Sequence, residues 1–310
     1  MEETQQVEQQ PSGPLVTVII VSYFKATALR RALGAIEAQT IKDQLQTIVL
    51  DLGTHDTTPS WDLEHPNVTF LRMPRNFGMT KASNIGLRSV KADLVMFLDP
   101  CVELRPNTIE ELVAALDGIP DAGAVGALLV DQNGEPLPQI RRLPDRDQLW
   151  KLWQDPDSLA AGAPGDGAAV ANEYPGRKAL LTRLATLKGM NFFDENYGDF
   201  GGDIELAFQI RHAGKKTYVI PSAPVVDHAN ADRGPQWSNG QLATFAADRL
   251  NGVSNFLGRR AGFVAGLMMR VQAVFTVLLR ALTFQSPGYN WPLFTSLLGG
   301  QKIDGSQGSV

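Results

Sequence analysis

The stretch Leu94-Val-Met-Phe-Leu98 runs straight into Asp99-Pro100, and it limits the architectures open to this chain more than any other segment. An apolar run this short, closed by a breaker, reads as a strand buried on both faces. Proline cannot continue a central ladder, so the strand ends at the aspartate. In open α/β sheets ligands bind beyond the carboxyl ends of the strands, which sets Asp99 where a substrate would lie. The competing reading is that Asp99 caps a helix over Asn107–Leu116, although Asn107 and Thr108 are nearer caps.

The same pattern recurs along the chain. Leu15–Val21 and Leu45–Leu50 are buried-strand runs, the second closed by Asp51, and Val68–Met73 is a third strand. A helix is expected from Thr27 to about Gln39, with Leu29, Leu33 and Ile36 on one face. Asn76-Phe-Gly78 opens a glycine-marked loop into a helix ending near Val90. Strand and helix alternate, so an α/β fold with a mostly parallel, doubly wound sheet is expected. Ala124–Val130 continues the series. A helix from Gly201 to about Ala213 and a strand over Lys216–Ile220 follow, and residues 221–228 then lead to Asp227-His228. Between Gln139 and Lys178 the pattern dissolves into a long variable loop holding Arg141-Arg142, Trp150 and Trp153. A loop this long is usually functional or disordered, and its basic and aromatic residues suit either acceptor contacts or surface packing.

No G-x-G-x-x-G follows the first strand and no G-x-x-x-x-G-K-[ST] occurs, which argues against dinucleotide-binding dehydrogenases and P-loop enzymes. Two strands ending in Asp51 and Asp99 suggest another nucleotide-binding solution. One carboxylate could accept hydrogen bonds from a base or ribose, while the other could hold a divalent cation against phosphates. The net charge of −5 argues against a general nucleic-acid binder. Cys101 is the single cysteine, so there is no internal disulfide and no cysteine-based zinc site, which suits a reducing cytoplasm. Asp203 and Glu205 lie at a helix start, where acids also serve simply to complement the helix dipole. His228 follows a strand near acids and could be a ligand or a structural histidine.

Residues 1–14 are polar, lack the apolar core of a signal peptide and are expected to form a disordered tail. Residues 301–310 form a second polar tail. Ala261–Phe284 is the most apolar stretch, broken by Arg270 and Arg280 into two runs of nine residues, each too short to span a bilayer. Led by Arg259 and Arg260, it reads either as a helix lying on a membrane surface or as a buried hairpin or dimer face.

Over roughly Val16–Asn230 the chain resembles a family-2 glycosyltransferase of the GT-A fold. The matching pieces are Val18-Ile-Ile-Val-Ser-Tyr23, Val49-Leu-Asp-Leu-Gly-Thr54, Arg75-Asn-Phe-Gly78 with Asn84-Ile-Gly86, Phe97-Leu-Asp-Pro100, Phe193-Asp-Glu195 and Asp203-Ile-Glu-Leu206 with Arg211-His-Ala-Gly214. With Arg141-Arg-Leu-Pro144 and the basic apolar C-terminal segment, the chain is similar to rhamnosyltransferase-like bacterial members that build surface polysaccharide. The resemblance implies a GT-A domain over 15–235, with residues 139–178 as the acceptor-side loop, followed by a helical, membrane-associating region over 236–300. It implies inverting transfer from a nucleotide-sugar donor to a glycan or lipid-linked acceptor, on the inner face of the cytoplasmic membrane. It assigns Asp203 as general base, and Ser22, Tyr23, Asp51, Asn76, Gly78 and Asp99 to the nucleotide. It assigns Asp99 and His228 to a divalent cation, Mg or Mn. Two positions depart from the family: Cys101 replaces the second acid of Asp-x-Asp, and Gly202 replaces a Glu before the base. The alternative reading is therefore a catalytically impaired relative that binds a nucleotide sugar or a partner enzyme.

Overall fold

A computed structural model of the chain describes residues 13–23, 26–52, 61–145, 160–165, 167–229, 238–300 and 303. Trp150, Trp153, the polar segment 53–60 and most of both expected tails lie outside the described residues.

Strands β1 (Val16–Ser22), β2 (Leu45–Asp51), β3 (Val68–Arg72) and β4 (Leu94–Leu98) form a parallel block in the order β3-β2-β1-β4. Helix α1 (Ala26–Glu37), the one-turn α2 (Trp61–Glu64) and α3 (Met79–Leu87) connect them. Beyond β4 come β5 (Val102–Glu103), α4 (Thr108–Gly118) and β6 (Ala122–Val130). Two short strands, β7 (Ile140–Arg141) and β8 (Ala160–Gly162), pair as a separate ribbon within the expected variable loop. β9 (Val170–Ala171), β10 (Ala179–Arg183), helix α5 (Leu184–Gly189), helix α6 (Gly198–His212) and β11 (Lys216–Asp227) complete the domain. The sheet continues β4-β10-β6-β11-β5, with β9 beside β11. β10 is antiparallel to both β4 and β6, whereas β6 and β11 are parallel.

The apolar runs follow from burial on both faces. On β1, Val18 and Ile20 face the cluster built with Leu29 and Leu33 of α1 and Leu112 of α4, while Ile19 faces Ala82 of α3 and Leu206 of α6. Alternate side chains meet opposite layers, so apolar residues dominate, and a buried polar one such as Thr17 is hydrogen-bonded, here to Gln46. Strand β11 differs from the expectation that it ends at Ile220. It runs through Pro221 and Pro224 to Asp227, because a register shift between Ile220 and Pro224 places both prolines at an irregularity of the ladder.

The C-terminal region is three helices: α7 (Asn239–Arg260), α8 (Phe263–Leu282) and α9 (Pro287–Leu298). Helix α7 starts with a capping box made by Ser238 and Gln241. Ala243, Ala247 and Phe256 of α7 pack with Ile204 and Ala207 of α6, so this region shares a core with the sheet domain. Helices α7 and α8 touch at glycines: a Cβ on Gly266 would lie 2.6 Å from the Ser254 carbonyl oxygen and 2.7 Å from Gly258 Cα. The two expected nine-residue runs form one 20-residue helix, α8, long and apolar enough by length and composition to cross a membrane. One side, Ala265, Met269, Ala273, Val277 and Ala281, packs inward. The other side exposes Val264, Met268, Val271, Phe275, Leu279 and Leu282. Arg259 and Arg260, expected to lead this helix as membrane cations, are instead ion-paired to Asp194 and Glu205.

Candidate active site

The carboxyl ends of β1, β2 and β4 lie side by side, with Ser22 in register with Asp51. Asp99 follows Leu98 of β4. Its N–H donates to the Lys178 carbonyl (2.8 Å), and its Oδ1 accepts the Cys101 N–H (2.8 Å). Asp99 thus closes a turn of its own, and the N-cap position of α4 is Asn107. Asp99 remains half-buried on the wall of a cavity of about 300 Å³ whose floor includes Ile19, Val21, Phe97 and Leu98.

Across that cavity stands Asp203, carried by the second turn of α6. The Tyr174 hydroxyl donates to Asp203 Oδ2 (3.2 Å), and Arg177 Nε is ion-paired with Oδ1. The Arg177 side chain is 4% exposed. Its guanidinium also donates to the Asp199 carbonyl (3.2 Å) and lies 4.7 Å from the Phe193 ring centre. Burial pushes the Tyr174 hydroxyl well above the usual phenol range, Asp203 adds to the rise, and Arg141, Arg177 and Arg249 oppose it. Arg141 lies 5.7 Å from the ring centre of this tyrosine, and Arg249 and Lys178, the latter ion-paired with Asp227, also line the cavity.

Asp199 lies one turn before Asp203 and is buried. Its Oδ1 accepts the N–H groups of Met79 and Thr80 (3.1 Å for Thr80), so it caps α3 from another element. Burial pushes its carboxyl up to about 6, against the pull of Arg177 and the two N–H groups. The start of α6 is held in turn by Asp248, which accepts the Asp199 N–H (2.7 Å). Gly198 there has φ +72°, and a Cβ would meet Asp248 Oδ1 at 2.4 Å, so glycine is required. At Gly202 a Cβ would lie 3.2 Å from both the Phe193 ring and Thr80 Oγ1. A side chain at this position would require the Phe193 ring or Thr80 to shift by a few tenths of an ångström.

The residues expected to hold a nucleotide form a neighbouring group and are not on the cavity wall, apart from Asp99. Ser22 is fully buried, and its hydroxyl has no hydrogen-bond partner among the described residues. Asp51 is 1% exposed. Burial raises Tyr23, opposed by a hydrogen bond with Asn76. Asn76 Oδ1 accepts the Gly78 N–H (2.8 Å), and Gly78, with φ +80°, begins α3.

Of the two expected cation ligands, Asp99 lies on the cavity wall and His228 does not. The His228 N–H donates to the Cys101 carbonyl (2.9 Å). Its ring Nε2 lies 2.8 Å from Glu103 Oε2, and Nδ1 lies 3.3 Å from the Gln132 amide nitrogen. His228 is not on the cavity wall, and Cys101, 1% exposed, belongs to the core. Among the described residues no three His, Cys, Asp or Glu side chains are grouped to hold a metal ion.

Sequence reasoning singled out Asp99, Asp203 and Arg141 but missed Tyr174, Arg177, Lys178 and Arg249. Arg177-Lys178 directly precedes β10, the strand beside β4, and that adjacency was the available signal.

Residues 17–163 match the profile of glycosyl transferase family 2. An N-acetylglucosaminyl-diphospho-decaprenol L-rhamnosyltransferase of Mycobacterium tuberculosis is 27% identical over 236 residues, covering 69% of this chain and 76% of that protein. An N-acetylglucosaminyltransferase of Mesorhizobium japonicum is 28% identical over 238 residues, covering 73% of this chain and 54% of that one. Among solved structures, a mannosyltransferase from Pyrobaculum calidifontis in complex with GDP-Man and Mn2+ superposes with a TM-score of 0.56 at 18% identity, covering 93% of this chain and 86% of that one.

Proposed function

We propose that the chain, which has the GT-A fold and matches the family-2 glycosyltransferase profile over residues 17–163, moves a sugar from a nucleotide-sugar donor to an acceptor hydroxyl with inversion at the anomeric carbon. The observation that carries this reading is the meeting of Asp99, at the end of β4, and Asp203, on α6, across one cavity at the carboxyl ends of the central strands. The base and ribose lie toward Ser22, Tyr23, Asp51, Asn76 and Gly78, and the sugar lies over the cavity.

Asp203 is the general base. It takes the proton of the acceptor hydroxyl as that oxygen attacks the anomeric carbon from the face opposite the leaving group. The bond from that carbon to the phosphate oxygen breaks, and the nucleoside diphosphate leaves. A positioned carboxylate contributes about 10²–10⁴-fold to such a step. Tyr174 and Arg177 occupy one site on each Asp203 oxygen. A carboxylate has about four lone-pair sites, so room remains for the acceptor hydroxyl.

The acceptor is a lipid-linked glycan of cell-surface polysaccharide synthesis. The activity for which the Mycobacterium tuberculosis relative is named supports this reading, as does the exposed apolar face of α8. That face holds the enzyme on the inner surface of the cytoplasmic membrane, where such an acceptor is presented.

A thermal-shift screen of nucleotide sugars tests the reading. At 100 times its Kd a ligand stabilises by about 2.7 kcal/mol. One nucleotide sugar is expected to raise Tm and to release its nucleoside diphosphate when a lipid-linked acceptor is added. Binding without release for every acceptor would favour the catalytically impaired alternative, and no binding at all would contradict the reading.

A further inference from the structure

We propose that Tyr174 is the residue that positions Asp203 as the base, and that the amide side chain of Asn172 sets Tyr174 in place. The proposal rests on the reading of Asp203 as the base and adds the residues through which the variable loop aims it. Two observations carry it. The first is that the two Asp203 oxygens have unlike partners. Arg177 is ion-paired with Oδ1, whereas the neutral Tyr174 hydroxyl donates to Oδ2 (3.2 Å). A charge-assisted hydrogen bond is about twice as strong as a neutral one, so a proton reaching Oδ1 would disturb the stronger partner. The acceptor's proton therefore goes to Oδ2, on a lone pair that Tyr174 leaves open. Burial pushes the Tyr174 hydroxyl well above the usual phenol range, so it remains a donor and fixes the direction of that lone pair.

The second observation is what holds Tyr174, which lies on neither helix nor strand, between β9 and β10. Asn172, 3% exposed, joins the two ends of the variable loop. Its Oδ1 accepts the N–H groups of Arg141 (2.9 Å) and Tyr174 (3.2 Å), and its Nδ2 donates to the Gln139 carbonyl (2.8 Å). Its own backbone is fixed to β11: the N–H donates to the Thr217 carbonyl (2.9 Å), and the carbonyl accepts the Thr217 hydroxyl. Glu173 extends the clasp by accepting the Leu143 N–H (2.9 Å). Only an amide side chain offers a donor and a doubly used acceptor at once; a carboxylate here would face the Gln139 carbonyl without a proton to give. One oxygen thus sets the spacing of Arg141 and Tyr174, and the Arg141 guanidinium lies 5.7 Å from the Tyr174 ring centre. The chain of contacts runs from β11 through Asn172 and Tyr174 to Asp203 Oδ2.

The test is a double-mutant cycle on the full chain. UDP-N-acetylglucosamine, GDP-mannose and dTDP-L-rhamnose serve as donors and farnesyl-diphospho-N-acetylglucosamine as acceptor. Single-turnover transfer and donor affinity are measured with the donor that the wild type uses fastest. Tyr174→Phe removes only the hydroxyl and should slow transfer about tenfold or more, with donor affinity within about threefold of wild type. Asn172→Ala should also slow transfer while sparing donor affinity. Because Asn172 acts through Tyr174, the double variant should be no more than about threefold slower than the slower single variant. Wild-type transfer by Tyr174→Phe overturns the proposal. Losses that multiply in the double variant, or an Asn172→Ala loss carried by donor affinity alone, assign Asn172 to the architecture of the loop and overturn its part. If Asn172→Ala does not fold, Asn172→Ser, whose hydroxyl can accept one N–H, replaces it in the cycle, and Tyr174→Phe still decides the role of the tyrosine. Asp203→Asn measured in parallel separates the two claims. Slow Asp203→Asn beside normal Tyr174→Phe keeps the base and removes this proposal. Normal Asp203→Asn, or a wild type that transfers no sugar, removes the reading on which it rests and the proposal with it.

Discussion

Two aspartates one helical turn apart on α6 have opposite surroundings. Asp203 faces the cavity, whereas Asp199 is buried and caps α3 with its carboxyl pushed from 3.8 up to about 6. Between about pH 4 and pH 6 the unfolded chain has released the Asp199 proton while the native chain still holds it. The native state then binds more protons, so this residue's contribution to stability falls as pH rises through that window. Asp199→Asn keeps an oxygen for the Met79 and Thr80 N–H groups but cannot ionise. The stability of wild type relative to Asp199→Asn should therefore fall from pH 4 to pH 7, by on the order of 3 kcal/mol for a shift of about two units. Denaturant unfolding at the two pH values measures it, and a pH-independent difference would contradict the assignment. At this scale Asp99 was legible because it sits at a punctuated strand end, and Asp203 because Gly201-Gly202 stand just before it in the sequence. Arg177, Tyr174 and Arg249 were not, because the Asp203 contacts of the first two and the cavity place of the third join residues distant in sequence.

Elements were more legible than contacts. Leu94–Leu98 forms a strand with the expected bounds, and β1 and β2 differ from expectation by a residue or so, because strands buried on both faces announce themselves as apolar runs; the edge strand β3, with no buried residue, is matched as closely. β11 was misread because proline is a breaker only where the ladder is regular, and here the ladder shifts register at the prolines. Helix α8 is the single helix of one of the two sequence readings, not the hairpin of the other: Arg270 interrupts the apolar pattern, but its guanidinium donates to the Leu297 carbonyl (3.3 Å) and the helix continues. The expected electrostatic part of membrane binding also changes. Arg259 and Arg260 are committed to Asp194 and Glu205, which leaves the apolar face as the main source of affinity. Vesicle co-sedimentation of the full chain should therefore persist at high salt. Val271→Glu with Phe275→Glu should abolish it with little change in Tm, because both side chains are more than half exposed. Wild type that ignores anionic vesicles, or that salt strips from them, would contradict a membrane role for this face.

At the scale of the molecule, the sheet end supplies Asp99 and the expected nucleotide residues, and α6 brings Asp203. Helix α7 locks α6 in place through Asp248 and lends Arg249 to the cavity. The C-terminal helices are thus part of the site's construction, which a reading confined to the family-like segment could not reveal. Ile303 extends this coupling: its N–H donates to Asp248 Oδ1 (3.0 Å), and its carbonyl oxygen lies 2.5 Å from where a Cβ on Gly78 would stand. The central claim is that this assembly positions Asp203 to take a proton from an acceptor hydroxyl. The most direct measurement is the single-turnover transfer rate of Asp203→Asn beside its affinity for the donor. The account predicts donor affinity within a few-fold of wild type and a transfer rate lower by about two or more orders of magnitude. Near-wild-type transfer by Asp203→Asn would contradict it.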